Sequence, residues 1–562
     1  MLRELFSVSI VLLALAGCGG GGGIGDSCGG NNDCDSKLQC LAGTCAARCD
    51  HAQECGDGYS CAEDRTCVLA HGHSGDICKS EVDCEAGLTC RINGAEVNSD
   101  HRLIASCAAE TAARGAGDQC EVDTDCRRGA CELGHCTDLC QVDRDCPDGS
   151  TCVTIPRVAV YGALFPGCLP THGTLTWTIP VSSPTADVLL PIPVGAESAE
   201  LVMSVDDPSQ QVGAKTVLDP CGCTRYQAPC PFGEPADNEP CSDLVAAEQY
   251  FRPPGDDDIG SSDGGADGSG SNANTICGPN SCKKPANGTF GNRVRHLPAL
   301  GRSVLLMPSI PSPGELKAPG AYQVEVSSFW STGAPGSAVP HVTAVVRLGT
   351  GNMLDLHFFF LDLSDHPCTT MTGEISLSAA TAPTAPYFQD TFLGELTEVF
   401  RRVGIALPTP TYEDITNQPS LDALDLGDVG SLLSLGKYAD GINVFFVRSL
   451  SPLGLEAFSP SPGPAGLART PESGIVIALD TLCYRHWDDI ARLTAHQIAR
   501  YMGLYHNVEP RDPRQPPDAP LWQDPIGDSD TSPDNLMYFS EHPGIQLSGG
   551  QREALAKSAV LR

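Results

Sequence analysis

Alternation of apolar and polar residues is clearest in the middle of the chain. Leu175, Trp177 and Ile179 interleave with Thr174, Thr176 and Thr178, the period-two signature of a strand with one buried face. Leu201-Val202-Met203, Val304 to Met307, Tyr322 to Val326 and Val342 to Val346 repeat this β-branched texture between Pro and Gly turns, so residues 171–350 are expected to form an all-β sandwich. Farther along, the period changes. Phe392, Leu396, Val399, Phe400 and Val403 form a helical stripe, with Asp390 placed to cap it and Gly404 to stop it. Met353 to Leu363, Gly441 to Val447 and Gly474 to Leu479 read as buried strands. Ile490, Leu493 and Ile498 mark a second helix that begins near Asp488 and Asp489. Strands and helices in this order predict an α/β (α+β) domain over 351–562.

The segment 26–170 has neither period; its regularity lies in its cysteines. Gly-Asp-x-Cys begins a module at Cys28, Cys78 and Cys120, and the spacing divides into five four-cysteine units. These are Cys28, Cys34, Cys40 and Cys45; Cys49, Cys55, Cys61 and Cys67; Cys78, Cys84, Cys90 and Cys107; Cys120, Cys126, Cys131 and Cys136; and Cys140, Cys146, Cys152 and Cys168. Units this small bury too little to fold unaided, so disulfides are the structural reading and the pairing stays open. The alternative, metal binding, suits closer C-x-x-C spacings and a reducing compartment. The units resemble Dickkopf-type or EGF-like cysteine-rich repeats in cysteine density and turn placement, and a stapled stalk is the role this implies. Six further cysteines, Cys221, Cys223, Cys230, Cys241, Cys277 and Cys282, are expected to staple an excursion from the sandwich. That excursion carries an acidic Gly/Ser/Asp insert near 255–275, read as a solvated linker rather than a calcium loop because it lacks a fixed ligand order. Cys368 and Cys483 are expected to be disulfide-bonded within the last domain or to neighbours.

Composition adds the compartment. The chain has 562 residues, 29 cysteines and a formal net charge of −35. The length requires several domains, the cysteines point to an oxidising environment, and the negative charge argues against nucleic-acid partners. Arg3 precedes an apolar run, Phe6 to Ala16, too short to span a bilayer, which ends in Leu15-Ala16-Gly17-Cys18. Those four residues resemble the lipobox of bacterial lipoproteins. The resemblance implies a signal peptide over 1–17, a lipidated Cys18 and a Gly tether over 18–25, and hence a membrane anchored through lipid. No Asp follows Cys18, so the implied location is the cell envelope at the outer membrane or cell surface. An ordinary cleaved signal peptide is the plainer alternative. Asn287-Gly288-Thr289 fits a glycosylation acceptor but carries little weight in a bacterial exporter.

The candidate chemistry lies in the second helix. Residues 496–506 read His496-Gln497-Ile498-Ala499-Arg500-Tyr501-Met502-Gly503-Leu504-Tyr505-His506, which resembles the H-E-x-x-H-x-x-G-x-x-H signature of the metzincin metallopeptidases. Asp534-Asn535-Leu536-Met537-Tyr538 looks like that family's Met-turn around Met537, and Leu547-Ser548-Gly549-Gly550-Gln551 like the start of its last helix, with Ser548 and Gln551 in capping-box register. The resemblance covers 351–562 and departs from the family at two positions. Gln497 stands for the general-base Glu and cannot take a proton. Arg500 stands for the second His ligand, permanently charged and without a lone pair. His496 and His506 are the residual ligands, fewer than a catalytic zinc needs.

The expectation is therefore a pseudopeptidase: no resident cofactor, no hydrolysis, and a cleft kept as a binding surface for a protein or peptide. Arg500 would then pair with a carboxylate of the segment 524–534 in place of the lost metal, the plainer alternative being that it points to solvent. The alternative is an active zinc metalloendopeptidase in which Asp524, Asp528, Asp530 or His542 makes good the missing groups. Isolated histidines, among them His341, His357, His366 and His486, receive no role.

Overall fold

The computed structural model describes residues within 28–47, 59–218, 224–227, 295–308, 320–361, 377–508 and 524–562, with short gaps inside these spans. The expected leader with Cys18, the acidic insert, the six cysteines from Cys221 to Cys282, Cys368, Asn287, His366 and His542 lie outside the described residues.

The N-terminal region is a disulfide-stapled, cysteine-rich array. In each of the four units whose bridges are described, the first cysteine joins the third and the second joins the fourth. The pairs are Cys28–Cys40 with Cys34–Cys45, Cys78–Cys90 with Cys84–Cys107, Cys120–Cys131 with Cys126–Cys136, and Cys140–Cys152 with Cys146–Cys168. A hairpin in each unit sets the third cysteine opposite the fourth, as Cys40 faces Cys45 and Cys131 faces Cys136. Side-chain oxygens supply the rest of the frame. Asp33, Asp125 and Asp145, each just before the second cysteine, accept backbone N–H groups from the turn after the first. Asn31, Asp123 and Asp143 accept the N–H of the third cysteine at 2.8, 2.9 and 2.9 Å. Carboxylate and amide oxygens thus do the work that a buried core cannot do in units this small. Sulfur atoms from the two bridges of a unit gather within 4.8 Å, but all belong to disulfides and leave no thiolate for a metal.

The later units of the array pack directly onto the neighbouring β-region. Leu133, Leu139, Ile155, Phe165 and Leu169 join one buried cluster with its strands. Gly134 (φ 76°) turns directly against Thr176, where a Cβ would collide with the Thr176 carbonyl.

Two antiparallel sheets come next. The first joins β1 (Gly173–Ile179), β3 (Ala196–Ser204), β6 (Arg295–His296), β8 (Arg302–Met307) and β10 (His341–Leu348) in the order β1-β10-β3-β8-β6. The second joins β2 (Thr185–Ile192), β4 (Gln211–Leu218), β5 (Thr224–Gln227), β7 (Ala299–Leu300) and β9 (Gly320–Phe329), ordered β2-β9-β4-β5 with β7 on β4. Leu175, Trp177, Leu201, Met203, Leu305, Ala344 and Val346 of the first pack with Val188, Leu190, Val212, Val217, Val324 and Val326 of the second. The alternation read in β1 therefore points its apolar side as expected. β2 and β4 escaped the sequence reading because Pro191 and Gly213 interrupt their apolar pattern.

The last region is a five-stranded sheet with helices on both faces. β11 (Leu356–Leu361), β12 (Thr411–Ile415), β13 (Ile442–Val447) and β15 (Ile475–Ala478) are parallel, and β14 (Ala457–Phe458) runs antiparallel along the edge, in the order β12-β11-β13-β15-β14. Helices α1 (Gly394–Arg402) and α3 (Trp487–Tyr501) cover one face around Phe358, Phe360, Phe392 and Phe446. Helix α2 (Val429–Leu433) covers the other around Phe359 and Phe445. Asp390 does not cap α1; it lies within a π-helical segment, Tyr387–Leu393, that runs straight into the helix. Polar β12, with a half-exposed Thr-Tyr-Glu-Asp-Ile sequence, gave no strand signal. α3 starts at Trp487, where the Asp489 carboxylate accepts the His486 N–H. His357 is buried with Nε2 on the Asp440 carbonyl and Nδ1 on Thr411, a satisfied core histidine, and Cys483 is disulfide-bonded.

Because the two bridges of a unit interlock, C126S/C136S is expected to cost about 2–5 kcal/mol. Urea titration with protease sensitivity of 120–136 as the readout checks this; unchanged resistance would show that the hydrogen-bonded turns suffice.

Candidate functional site

The histidines and arginine of 496–506 are brought together at the C-terminal end of α3. One helical turn separates His496 from Arg500, placing them on one face. After Tyr501 the chain turns at Gly503 (φ 105°), which only glycine takes without strain, and a Cβ there would also strike Leu306 of β8. That turn carries His506 back to the helix, its ring centroid 5.2 Å from that of His496.

The hydrogen-bond role of one nitrogen in each ring follows from its partner. His496 is buried and its Nδ1 lies 2.7 Å from the Leu536 carbonyl oxygen. A carbonyl only accepts, so Nδ1 is the donor of this hydrogen bond. The Nε2 of His506 meets Nη1 of Arg500. A guanidinium only donates, so this nitrogen is the acceptor and its lone pair is directed at the Arg500 cation. Gln497 is half-buried on the same helix, and its carbonyl accepts the hydroxyl of Ser459 at 3.0 Å.

Beneath the histidines, Met537 is fully buried in a turn whose hydrogen bonds lead outward in layers. Asn535 Oδ1 accepts the Met537 N–H at 2.8 Å, an Asx turn, and the Met537 carbonyl accepts the Asn507 N–H at 3.0 Å. Gln551, fully buried, uses its whole amide to hold this turn. Oε1 accepts from Asn535 Nδ2 at 3.0 Å and from the Ser548 N–H at 2.9 Å, while Nε2 donates to Asp524 and to Ser529, both at 3.2 Å. The capping box of Ser548 and Gln551 at α4 (Gly549–Ala556) is formed. Its second use, bracing Asn535, is invisible in the helix-start pattern; Asn two places before Met537 was the available signal.

The acids expected as substitutes each accept hydrogen bonds from their own segment or from the last helix. Asp528 accepts from Ser548 Oγ at 2.8 Å and the Gly550 N–H at 2.9 Å, and Asp530 from the Ser532 N–H at 3.1 Å. Asp524 accepts from Gln551 and the Ile526 N–H, and burial pushes its carboxyl up to about 7 against the pull of these hydrogen bonds. A titration near neutrality is what a general base requires, but this carboxyl is spent on the brace. The contact described for Arg500 within 496–534 is His506, not one of these carboxylates.

Replacing Gln551 by Leu strands the groups around it, and Q551L is expected to cost about 2–4 kcal/mol at this brace. Faster amide exchange at Met537 and Asn507 with a lowered urea midpoint would report it; unchanged exchange would show that Met537 is held without Gln551. The chain matches no protein-family model and no curated protein.

Proposed function

We propose that this protein is an exported pseudopeptidase, anchored by lipid at Cys18 to the cell envelope, whose metzincin-like domain over 351–562 binds a protein or peptide instead of cutting one. On this reading the two packed sheets are a β-sandwich and the array is the membrane-proximal part. The order of elements supports the kinship: strand, helix, further strands with one antiparallel at the edge, site helix, Met537 turn and capped last helix. The observation that carries the loss of chemistry is the Arg500 guanidinium on His506 Nε2.

Zinc does not fit this donor set. A catalytic zinc takes three protein ligands and keeps an open position. His496 and His506 supply two imidazoles, one with its lone pair facing a fixed positive charge, and Arg500 supplies none. Gln497 can orient a water but cannot remove its proton. These side chains therefore support no hydrolytic step. What remains is a helix end with one fixed cation, a brace that keeps it rigid, and an edge strand, β14, beside it; an edge strand can pair with an extended peptide.

Metal analysis of the wild-type protein and of Q497E/R500H tests the reading. Wild type is expected to hold no stoichiometric zinc and to cut no peptide, whereas the double variant gains one zinc per chain. Stoichiometric zinc in the wild type, with proteolysis abolished by a chelator, would establish an active zinc metallopeptidase instead. The anchor has its own test: C18S is expected to move the protein from the membrane fraction to the soluble fraction of the envelope. Retention of C18S on membranes would remove the lipoprotein assignment.

A further inference from the structure

The outer face of the first sheet is buried beneath the last region. Thr176, Val345, Glu200 and Leu306 form a row across β1, β10, β3 and β8, as their strand registers place them side by side. On this row sits the segment 462–466, wedged between the sheet and the end of α3. Gly463 donates to the Tyr501 carbonyl at 2.9 Å, the Tyr501 hydroxyl donates to the Pro464 carbonyl at 2.6 Å, and Gly466 lies against Thr174, Thr176 and Val345. The site helix is therefore held to the sheet through this wedge.

Glu200 stands at the centre of the seam, and its carboxylate is a poor fit to it as an ion. The residue is 2% exposed, and its described partner is a single backbone N–H, from Ala465 to Oε2 at 2.8 Å. The charged and titratable groups around it do not compensate. From α3 comes the Tyr501 phenol, which feels the charges of both Glu200 and Glu472, the acid of the loop before β15. Arg302 of β8 is taken by Glu472 at 3.4 Å. Arg347 of β10 spends its guanidinium on the carbonyls of Ala556, Ser558 and Gly351 and faces Glu197 of β3. The wedge, Pro462-Gly463-Pro464-Ala465-Gly466, carries no charge.

We propose that Glu200 makes this seam a pH-sensitive latch, which keeps the wedge 462–466 and Tyr501 seated on the sheet while the carboxyl is neutral and loosens them when it ionises. A buried carboxylate without a cation is costly, whereas the neutral acid still accepts the Ala465 N–H. Burial pushes Glu200 up to about 8 and Glu472 up to about 7 from an ordinary 4.5. An opened seam would return both to the ordinary range. Closure is thus fully favoured below the ordinary value, weakens as pH rises toward the raised ones, and levels off above them. The latch acts on the end of the helix that carries His496, Gln497 and Arg500, and it holds whether or not that site binds a peptide.

Hydrogen exchange of the full chain, expressed as protection relative to intrinsic rates, tests this. Protection of Gly463, Ala465 and 499–503 in the wild type is expected to fall about tenfold or more between about pH 6 and about pH 8, since each ionising carboxyl contributes up to tenfold per unit. In E200Q, which keeps an acceptor for Ala465, the fall shrinks by at least about threefold, while Cys131 and Cys136 in the array stay constant in both proteins. E200M, apolar and of similar length, is the second variant should E200Q not fold. Constant wild-type protection across this range would overturn the latch. So would a fall that persists in the Glu200 variants and vanishes in E472Q, which would assign the titration to Glu472.

Discussion

A β-sheet flanked on both sides must satisfy polar groups on both, and the first sheet of this protein meets that constraint with charges as well as methyl groups. Its inner face packs against the second sheet through Leu175, Trp177, Leu201 and Val346. Its outer face carries Glu200, Arg302 and Arg347 into contact with the last region, where they find Ala465, Glu472, Ala556 and Ser558. Val345, on that outer face, belongs to the same buried cluster as Phe358 and Met537. The position of the site helix is therefore set by its seat on a neighbouring sheet as well as by its own hydrophobic stripe. An Arg in such a place works because its planar fork serves several carbonyls at once, and a carboxyl works because it can give up its charge.

The candidate site is ordered by hydrogen-bond direction. A carbonyl below His496 and a guanidinium beside His506 each admit one polarity, so Nδ1 of the first ring donates and Nε2 of the second accepts. Beneath them Met537, Asn535, Gln551 and Asp524 form a relay in which every amide valence of Gln551 is used. Buried networks of this kind are stable only when complete. The arrangement suits a rigid surface that positions a cation, consistent with the binding role proposed above.

The array solves a different problem. Units this small cannot each bury a core, so covalent crossings define the four whose bridges are described, and a repeated pair of side-chain oxygens frames three of them. Its later units lean on the sheets through Leu133, Phe165 and Leu169, and Gly134 makes close approach possible. This end of the array thus shares one buried cluster with the sheets.

Local physics explains which features were legible. Leu175, Trp177 and Ile179 announced a one-sided strand, Phe392 to Phe400 a helix face, and Ser548 with Gln551 a helix start, because spacing along a few residues decides each of these. Residue identity alone also decided the chemistry of Gln497 and Arg500, since no fold gives an amide a carboxylate's basicity or a guanidinium a lone pair. What the chain could not disclose depends on distant partners. The cysteine pairing, β2 and β12 with their interrupted or polar patterns, and the burial of Glu200 beside half-buried Thr176 on a face that alternation assigns to solvent all depend on what packs from elsewhere. So does the meeting of Arg500 with His506 rather than with a described acid of 524–534. Period-two patterning tells which side of a strand is apolar; only the tertiary structure decides whether the other side meets water or a second layer of protein.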